Sequence, residues 1–320
     1  MIIDLSDEAL ELGRLARRAL DEAGGDRLVQ IAEQEPDRRE SLVASVLAEL
    51  GVWELDLRGS GDELEAAAAL CRSAGWWSVA YPVAERLCRP VDLGAAGTVV
   101  VADVRPAGPL AGLGGRWAAV TLDGRRSLAT PRPPAASPRT SAFVAELDLQ
   151  PIDGGGADSP GRGAGDAALG LVLPCWTLLG MLDRAIDLTR DYVIERHQFG
   201  QPLASFQGVQ FQLTDAEVER SGVEELAKYA LWSIEAGRDD ALDDALALRL
   251  AAVEAAEVVF RVAHQLHGAV GFCDETALSW LSRYSQPLRR LPLGLSATRD
   301  QLTRRIGRRG LSGLFDAATA

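Results

Sequence analysis

Apolar positions along the first part of the chain, from Leu5 to about Arg86, recur at helical spacing. Ala9, Leu12, Ala16 and Leu20 form one stripe, and Leu42, Val46 and Leu50 form another, which Gly51 then closes. From about Pro90 to Pro160 the pattern changes. Short apolar runs, Thr98–Ala102 and Trp117–Leu122, alternate with Gly- and Pro-rich turns, and Asp123-Gly124 is a hairpin signal. The tracts Thr130–Arg139 and Gly154–Gly165 are poor in apolar residues and read as loops or a linker, the second marking a domain boundary. From Asp166 the helical period returns in longer runs. Leu169, Val172, Trp176, Leu179 and Ile186 share one face, Val209, Leu213 and Ala216 a second, and Leu242, Leu246, Val253 and Phe260 a third. Three long helices followed by shorter ones predict an antiparallel bundle. The expected class is α+β, mostly α, with a helical domain over 1–90, a small β domain over 91–160 and a helical bundle over 161–320.

Composition narrows the partners. The chain has 320 residues, is 47% apolar and carries a net charge of −13, so it can bury a sizeable core and its overall field repels nucleic acid and anionic membranes. The cysteines Cys71, Cys88, Cys175 and Cys273 lie far apart with no CxxC pair, and Met1–Leu10 is acidic where a secretory signal is basic. A cytoplasmic location is expected. The most apolar stretch, Ala167 to Leu182, is interrupted by Pro174 and bounded by Asp183, which predicts a buried helix and no membrane insertion. Lys228 is the sole lysine, so arginine clusters, including the run from Arg283 to Arg309, reflect compositional bias as much as a site.

Candidate chemistry is sparse. His264 and His267 sit at i, i+3, a spacing compatible with a metal, but the remaining histidine, His197, is no obvious third ligand, and two polar residues near a helix end is the reading taken. No GxSxG, no GxGxxG after a strand and no GxxxxGK[ST] occurs. Two segments are more specific. Arg196-His197-Gln198-Phe199-Gly200-Gln201-Pro202-Leu203, followed by Phe206-Gln207-Gly208-Val209-Gln210, lies between the first two long helices, and Gln265-Leu266-His267-Gly268-Ala269-Val270-Gly271-Phe272 ends the third. A guanidinium beside an aromatic ring suits a pyrophosphate and a flat ring system, and glycines at a helix end admit close approach of a ligand to the backbone. Either segment alone reads as a surface arginine or a glycine cap.

Together, in this order, the segments resemble the acyl-CoA dehydrogenase family. Arg196, Phe199, Gly200, Phe206, Gln207, Val209 and Gln210 match its RxxFG…FQxVQ pattern, and Gln265, Gly268, Gly271 and Phe272 match its QxxGGxGF pattern, with Ala269 at the second glycine. Leu47-Ala48-Glu49-Leu50-Gly51-Val52-Trp53 is similar to a phrase of the family's first domain. The resemblance implies an N-terminal helical domain, a middle β domain, here reduced, and a C-terminal four-helix bundle. It also implies α,β-desaturation of an acyl-CoA thioester with FAD as cofactor. The family's catalytic glutamate has two locations, which by the resemblance fall at Gly170 and Leu293, so no catalytic residue is assigned. Asp166, Asp274 and Glu275 are the nearest substitutes in sequence. The family's flavin-holding loop and strand are missing from Val99 to Asp148. What remains, Arg196, Phe199, Gln207, Gln265, Gly268, Ala269 and Gly271, is in this family the part that reaches across a dimer interface to a neighbour's FAD. The resemblance therefore implies a subunit that completes the flavin site of a larger acyl-CoA dehydrogenase subunit in an α2β2 assembly, like those of actinobacterial steroid-CoA dehydrogenases. The acyl-CoA would lie in the partner's site and an electron-transfer flavoprotein or similar acceptor would take the electrons. A self-sufficient homo-oligomer with a relocated base and a non-enzymatic helical interaction protein are the alternatives.

Overall fold

Ser6 begins the structure's first helix by accepting a hydrogen bond from the Ala9 N–H, and Asp7 and Glu8 in the first turn complement the helix dipole. The computed structural model describes residues 4–133, 143–152 and 160–310. Its N-terminal zone holds α1 (Asp7–Glu22), α2 (Arg27–Gln34), α3 (Arg39–Ala48), α4 (Gly61–Trp76) and α5 (Val83–Leu87). Ala9, Ala16 and Leu20 are buried as their spacing predicts, with Leu12 packed against the core. The stripe expected from Leu42, Val46 and Leu50 is displaced by one position, since Val43, Ala44 and Leu47 are the buried apolar residues of α3. That helix ends at Ala48, so Leu50 lies beyond it and Leu42 and Val46 only flank the contact.

The middle zone is a five-stranded sheet of β1 (Thr98–Val100), β2 (Ala107–Gly108), β3 (Trp117–Val120), β4 (Arg126–Pro131) and β5 (Ala145–Pro151), in the order β1-β3-β4-β5-β2. The first pair is parallel, with Thr98 opposite Ala118, and the rest are antiparallel. The expected hairpin at Asp123-Gly124 joins β3 to β4, and Gly124 takes the positive φ of +82° that this turn requires. Part of the Thr130–Arg139 tract is strand: Thr130 and Pro131 end β4. Residues 134–142 and 153–159 lie outside the described residues, so most of that expected loop and the Gly154–Ser159 part of the expected linker are not described.

The rest of that linker is helical. The helix α6 (Pro160–Glu195) starts at Pro160 and takes in Gly161, Gly163 and Gly165. A Cβ on Gly163 would stand 1.9 Å from the Gly124 carbonyl oxygen. The glycines that read as a flexible linker instead let the β3–β4 turn lie directly on the helix. Nor does Pro174 interrupt α6, which passes through both it and Asp183. Proline removes one intrahelical bond, that to the Gly170 carbonyl, and packing on both sides of α6 outweighs the loss. By length and hydropathy, 1.5 over an 18-residue window, this helix is apolar enough to cross a membrane, but 78% of that window is buried inside the chain.

Two further long helices complete the bundle, α7 (Gln207–Glu235) and α8 (Ala241–His267), packed on α6 and on each other. Short helices α9 (Ala277–Tyr284) and α10 (Gln286–Arg290) lead to α11 (Leu295–Arg309), which lies along α8. The α6 stripe Leu169, Val172, Trp176 and Leu179 and the α8 stripe Leu242, Leu246, Val253 and Phe260 are buried. One continuous core includes residues of all three zones.

α4 crosses α6 with no side chain between the backbones: a Cβ on Gly75 would fall 1.8 Å from the Thr177 carbonyl oxygen, and one on Gly180 would fall 1.9 Å from that of Arg72. Beside the crossing, Arg72 Nε bonds Asp183 at 2.6 Å and Arg72 Nη1 bonds Glu224 of α7 at 2.7 Å, while Arg220 reaches the same two carboxylates. Burial alone would raise the Glu224 carboxyl, but hydrogen bonds from Arg72 and Arg220 pull it down to about 2. Gly180→Ala forces the two backbones apart, an overpacking that costs about 1–3 kcal/mol or more. Gly222→Ala, in the exposed run of α7 with nothing near its Cβ, should stabilise by about 0.5–1 kcal/mol. Urea denaturation of both variants checks the contrast, and equal midpoints for the two would contradict it.

Candidate functional site

The two segments singled out in the sequence come together at one end of the bundle. The Arg196 N–H donates to the Tyr192 carbonyl in the last turn of α6, and the Arg196 carbonyl accepts from the Leu203 N–H at 2.8 Å. Between them β6 (His197–Gln198) pairs with β7 (Gln201–Pro202). The two residues at the tip, Phe199 and Gly200, have φ of +54° and +83°, as a two-residue hairpin of the primed type demands. Glycine bears this without strain; a phenylalanine does not. Phe199 is nonetheless 90% exposed, touching Phe206 edge-on at 6.2 Å. The strained backbone thus holds an aromatic ring out in solvent.

The end of α8 is set against this hairpin by His267, whose ring stacks on Tyr192 at 4.4 Å. His264 stacks on Phe272 at 4.3 Å, so each histidine is held by an aromatic ring, and burial lowers the pKa of both. Gly268 then turns the chain with φ +63° and ψ −145°, a conformation suited to glycine. Gly271 is buried because a Cβ there would stand 2.9 Å from that of His267. Gln207, Gln265, Gly268 and Ala269 are exposed, and so is Arg196, whose guanidinium has no hydrogen bond or ion pair among the described residues. Phe272 (68% exposed), Phe211 and Val270 add apolar surface. Sequence reasoning gave no role to Val270, which lies in the second segment, or to Phe211, which directly follows the first. An exposed guanidinium, an exposed aromatic ring and an exposed glycine turn thus lie in the two segments that the Tyr192–His267 stack brings near each other.

A second feature lies inside. A cavity of about 90 Å³ opens between the Val79–Glu85 segment, β1, β2, α6, α8 and the α9–α10 region. Gly170 and Pro174 of α6 line it, as do Leu291 and Pro292 just before Leu293. At Gly170 a Cβ would meet Val100 Cγ2 at 2.7 Å, so any side chain there requires Val100 to shift, and glycine itself supplies no carboxylate. The Leu293 carbonyl accepts from Arg249 Nη2 at 2.7 Å.

These observations agree with what the chain is similar to. Residues 172–298 match the acyl-CoA dehydrogenase C-terminal domain. That segment is similar to the C-terminal domain of acyl-CoA dehydrogenases. Acryloyl-CoA reductase (NADH) of Anaerotignum propionicum is 33% identical over 105 residues, which are 33% of this chain and 26% of that protein, so the match spans about a quarter of that relative's length. The ChsE4–ChsE5 complex of Mycobacterium tuberculosis contains a chain of the same fold, with a TM-score of 0.76 at 18% identity over 98% of this chain and 100% of that one. A chain of the Tcur3481–Tcur3483 steroid ACAD gives 0.74 at 21% identity, over 96% and 99%. The acyl-CoA dehydrogenase fold, mostly helical with a small sheet, thus extends over nearly the whole chain.

None of the three carboxylates nearest the family's base positions in sequence lines the cavity. Asp166 is buried in a structural pair, accepting from Arg58 Nη2 at 2.6 Å and facing Arg126 Nε at 3.0 Å. Asp274 and Glu275 are exposed, the former bonded to Arg283 at 2.8 Å. The carboxylate that does line it is Glu85 of α5, which the sequence gives no reason to single out beyond a charge set in an apolar run. Burial pushes its carboxyl up to about 7, with its own backbone N–H and the Arg39 guanidinium pulling back in part. A folded-state value raised from 4.5 means that this group costs nothing below pH 4.5 and destabilises the fold as pH rises through 7. Glu85→Gln should therefore remove a loss of stability of up to about 1.4 kcal/mol per pH unit between pH 5 and 7. Denaturation midpoints across pH 5 to 8.5 check this, and an unchanged slope in the variant would contradict it.

Proposed function

We propose that the chain is the subunit of an FAD-dependent acyl-CoA dehydrogenase that completes a partner's flavin site and leaves the catalytic glutamate to that partner. The observation that carries this reading is the asymmetry between the two features above. Among the described residues the exposed end of the bundle presents a guanidinium, an aromatic ring and a glycine turn to solvent, whereas Gly170, at one of the family's base positions, offers no carboxylate. These residues fit one side of an FAD site. Arg196 would meet pyrophosphate charge, Phe199 and Gln207 would bind beside it, and the Gln265–Gly271 turn, with Gly268 and Ala269 open, would let backbone approach the cofactor. When bound, the flavin supplies hydride acceptance for oxidation of the thioester's α,β bond. The chain's own residues bind, orient and exclude water.

The partner is a larger acyl-CoA dehydrogenase subunit, and α2β2 is the proposed assembly. The likeness to one chain of a two-protein complex and to a steroid ACAD supports it, with a steroid-derived acyl-CoA as the candidate substrate class. An electron-transfer flavoprotein or similar acceptor would reoxidise the cofactor. Four free thiols, three of them buried, support a reducing, cytoplasmic compartment.

Arg196→Ala in the assembled complex tests the assignment. Loss of a charge-assisted hydrogen bond costs about 1.5–3 kcal/mol, or roughly 10- to 100-fold in affinity. FAD should be depleted on gel filtration while the subunits stay associated. Flavin content equal to that of the unaltered complex would overturn the assignment.

A further inference from the structure

The residues assigned to the flavin belong to two helices, and a single ring contact joins the ends of those helices. Tyr192 lies in the last turn of α6, four residues before Arg196, whose N–H donates to its carbonyl at 2.8 Å. His267 is the last residue of α8 and directly precedes Gly268. Their rings stack with centroids 4.4 Å apart and planes 18° from parallel, and among the described residues this is the one ring pair between the two helix ends. His267 is 7% exposed and its Nδ1–H donates to the Ala263 carbonyl at 2.9 Å, so its own helix fixes the plane on which the half-buried Tyr192 ring rests. Burial also lowers its pKa, which keeps the imidazole neutral at pH 7. On its other flank it supports the glycine turn, since a Cβ on Gly271 would stand 2.9 Å from that of His267. No hydrogen bond among the described residues runs from the Arg196–Phe206 segment to the Gln265–Phe272 segment. Their spacing therefore depends on packing, and this stack is where the packing reaches both.

We propose that Tyr192 and His267 are positioning residues for the cofactor: their stack sets Arg196 and the Gly268–Gly271 turn at the separation at which both meet one FAD. The inference rests on the function proposed above and adds to it two side chains that hold the site without being assigned to the ligand. Groups fixed relative to each other before binding lose less freedom when the ligand arrives, so the contact raises affinity without touching FAD. Any flat, neutral ring at position 267 can serve, because the stack and not the imidazole nitrogens carries the role. A small aliphatic residue there leaves the hairpin and the turn free to shift past each other.

Titration of FAD into the flavin-depleted complex with the larger subunit, followed by quenching of flavin fluorescence, tests this without any turnover. His267→Ala should weaken FAD binding at least about threefold, the loss that one broken aromatic stack allows, while the subunits stay associated on gel filtration. His267→Phe keeps a stacked ring and should stay within about twofold of the unaltered complex. On an Arg196→Ala background the His267→Ala substitution should cost a smaller factor than it does alone, because the stack acts through the placement of Arg196. Tyr192→Leu and Tyr192→Phe make the same comparison from the α6 side and decide it where His267→Ala does not fold. The proposal is overturned if removing either ring leaves FAD affinity unchanged, if His267→Phe binds as weakly as His267→Ala, or if His267→Ala costs the same factor on both backgrounds. Affinity lowered by Arg196→Ala but not by His267→Ala defeats the positioning role alone. Affinity unchanged in Arg196→Ala defeats the proposed function, and this inference with it.

Discussion

The direct backbone contact of α4 with α6 at Gly75 and Gly180 is the constraint from which the rest of the molecule follows. Without side chains between them the two helices approach closely enough for Arg72 to reach Asp183 on α6 and Glu224 on α7 together. That clamp ties the N-terminal helices to the bundle through charge as well as through apolar contact. It also fixes α6, which together with α8 takes part in both features described here. Gly170 lies on the cavity near its start and Arg196 immediately follows its end, a span of 26 residues or about 39 Å of helix.

The two ends of that helix carry opposite chemistry. Around Gly170 the chain is buried and largely apolar, with β1 against the helix at Val100 and no carboxylate at that position. Around Arg196 it is open and polar, with a strained hairpin that keeps Phe199 in solvent. A self-contained enzyme would bring its reactive carboxylate and its cofactor-binding groups to one place. Here the groups suited to a cofactor face outward, and the buried charges, Asp166 with Arg58 and Arg126, hold the β zone to the helices.

Much of this was legible in the sequence because the signals are periodic or conformational. The stripes of α1, α6 and α8, the Asp123-Gly124 hairpin and the Arg196–Phe199 and Gln265–Gly271 segments all depend on local spacing. What was not legible depends on distant neighbours. Pro174 read as a break because its cost is local and the packing that offsets it is not. Gly161 to Gly165 read as a linker because nothing in the sequence tells that a hairpin turn rests on Gly163. The α3 stripe was misplaced by one residue because a short helix offers too few turns to fix its phase. Glu85 gave no signal because a carboxylate in a five-residue helix is ordinary until the fold puts a cavity and the Arg39 guanidinium beside it.

The central claim, that the chain supplies only one wall of a flavin site, is tested most directly by counting flavin. FAD absorbance per chain should be measured on the protein purified alone and again after co-expression with a larger acyl-CoA dehydrogenase subunit encoded beside it. The account predicts no retained FAD in the first preparation and one FAD per pair of unlike chains in the second. Stoichiometric FAD on this chain alone would contradict it.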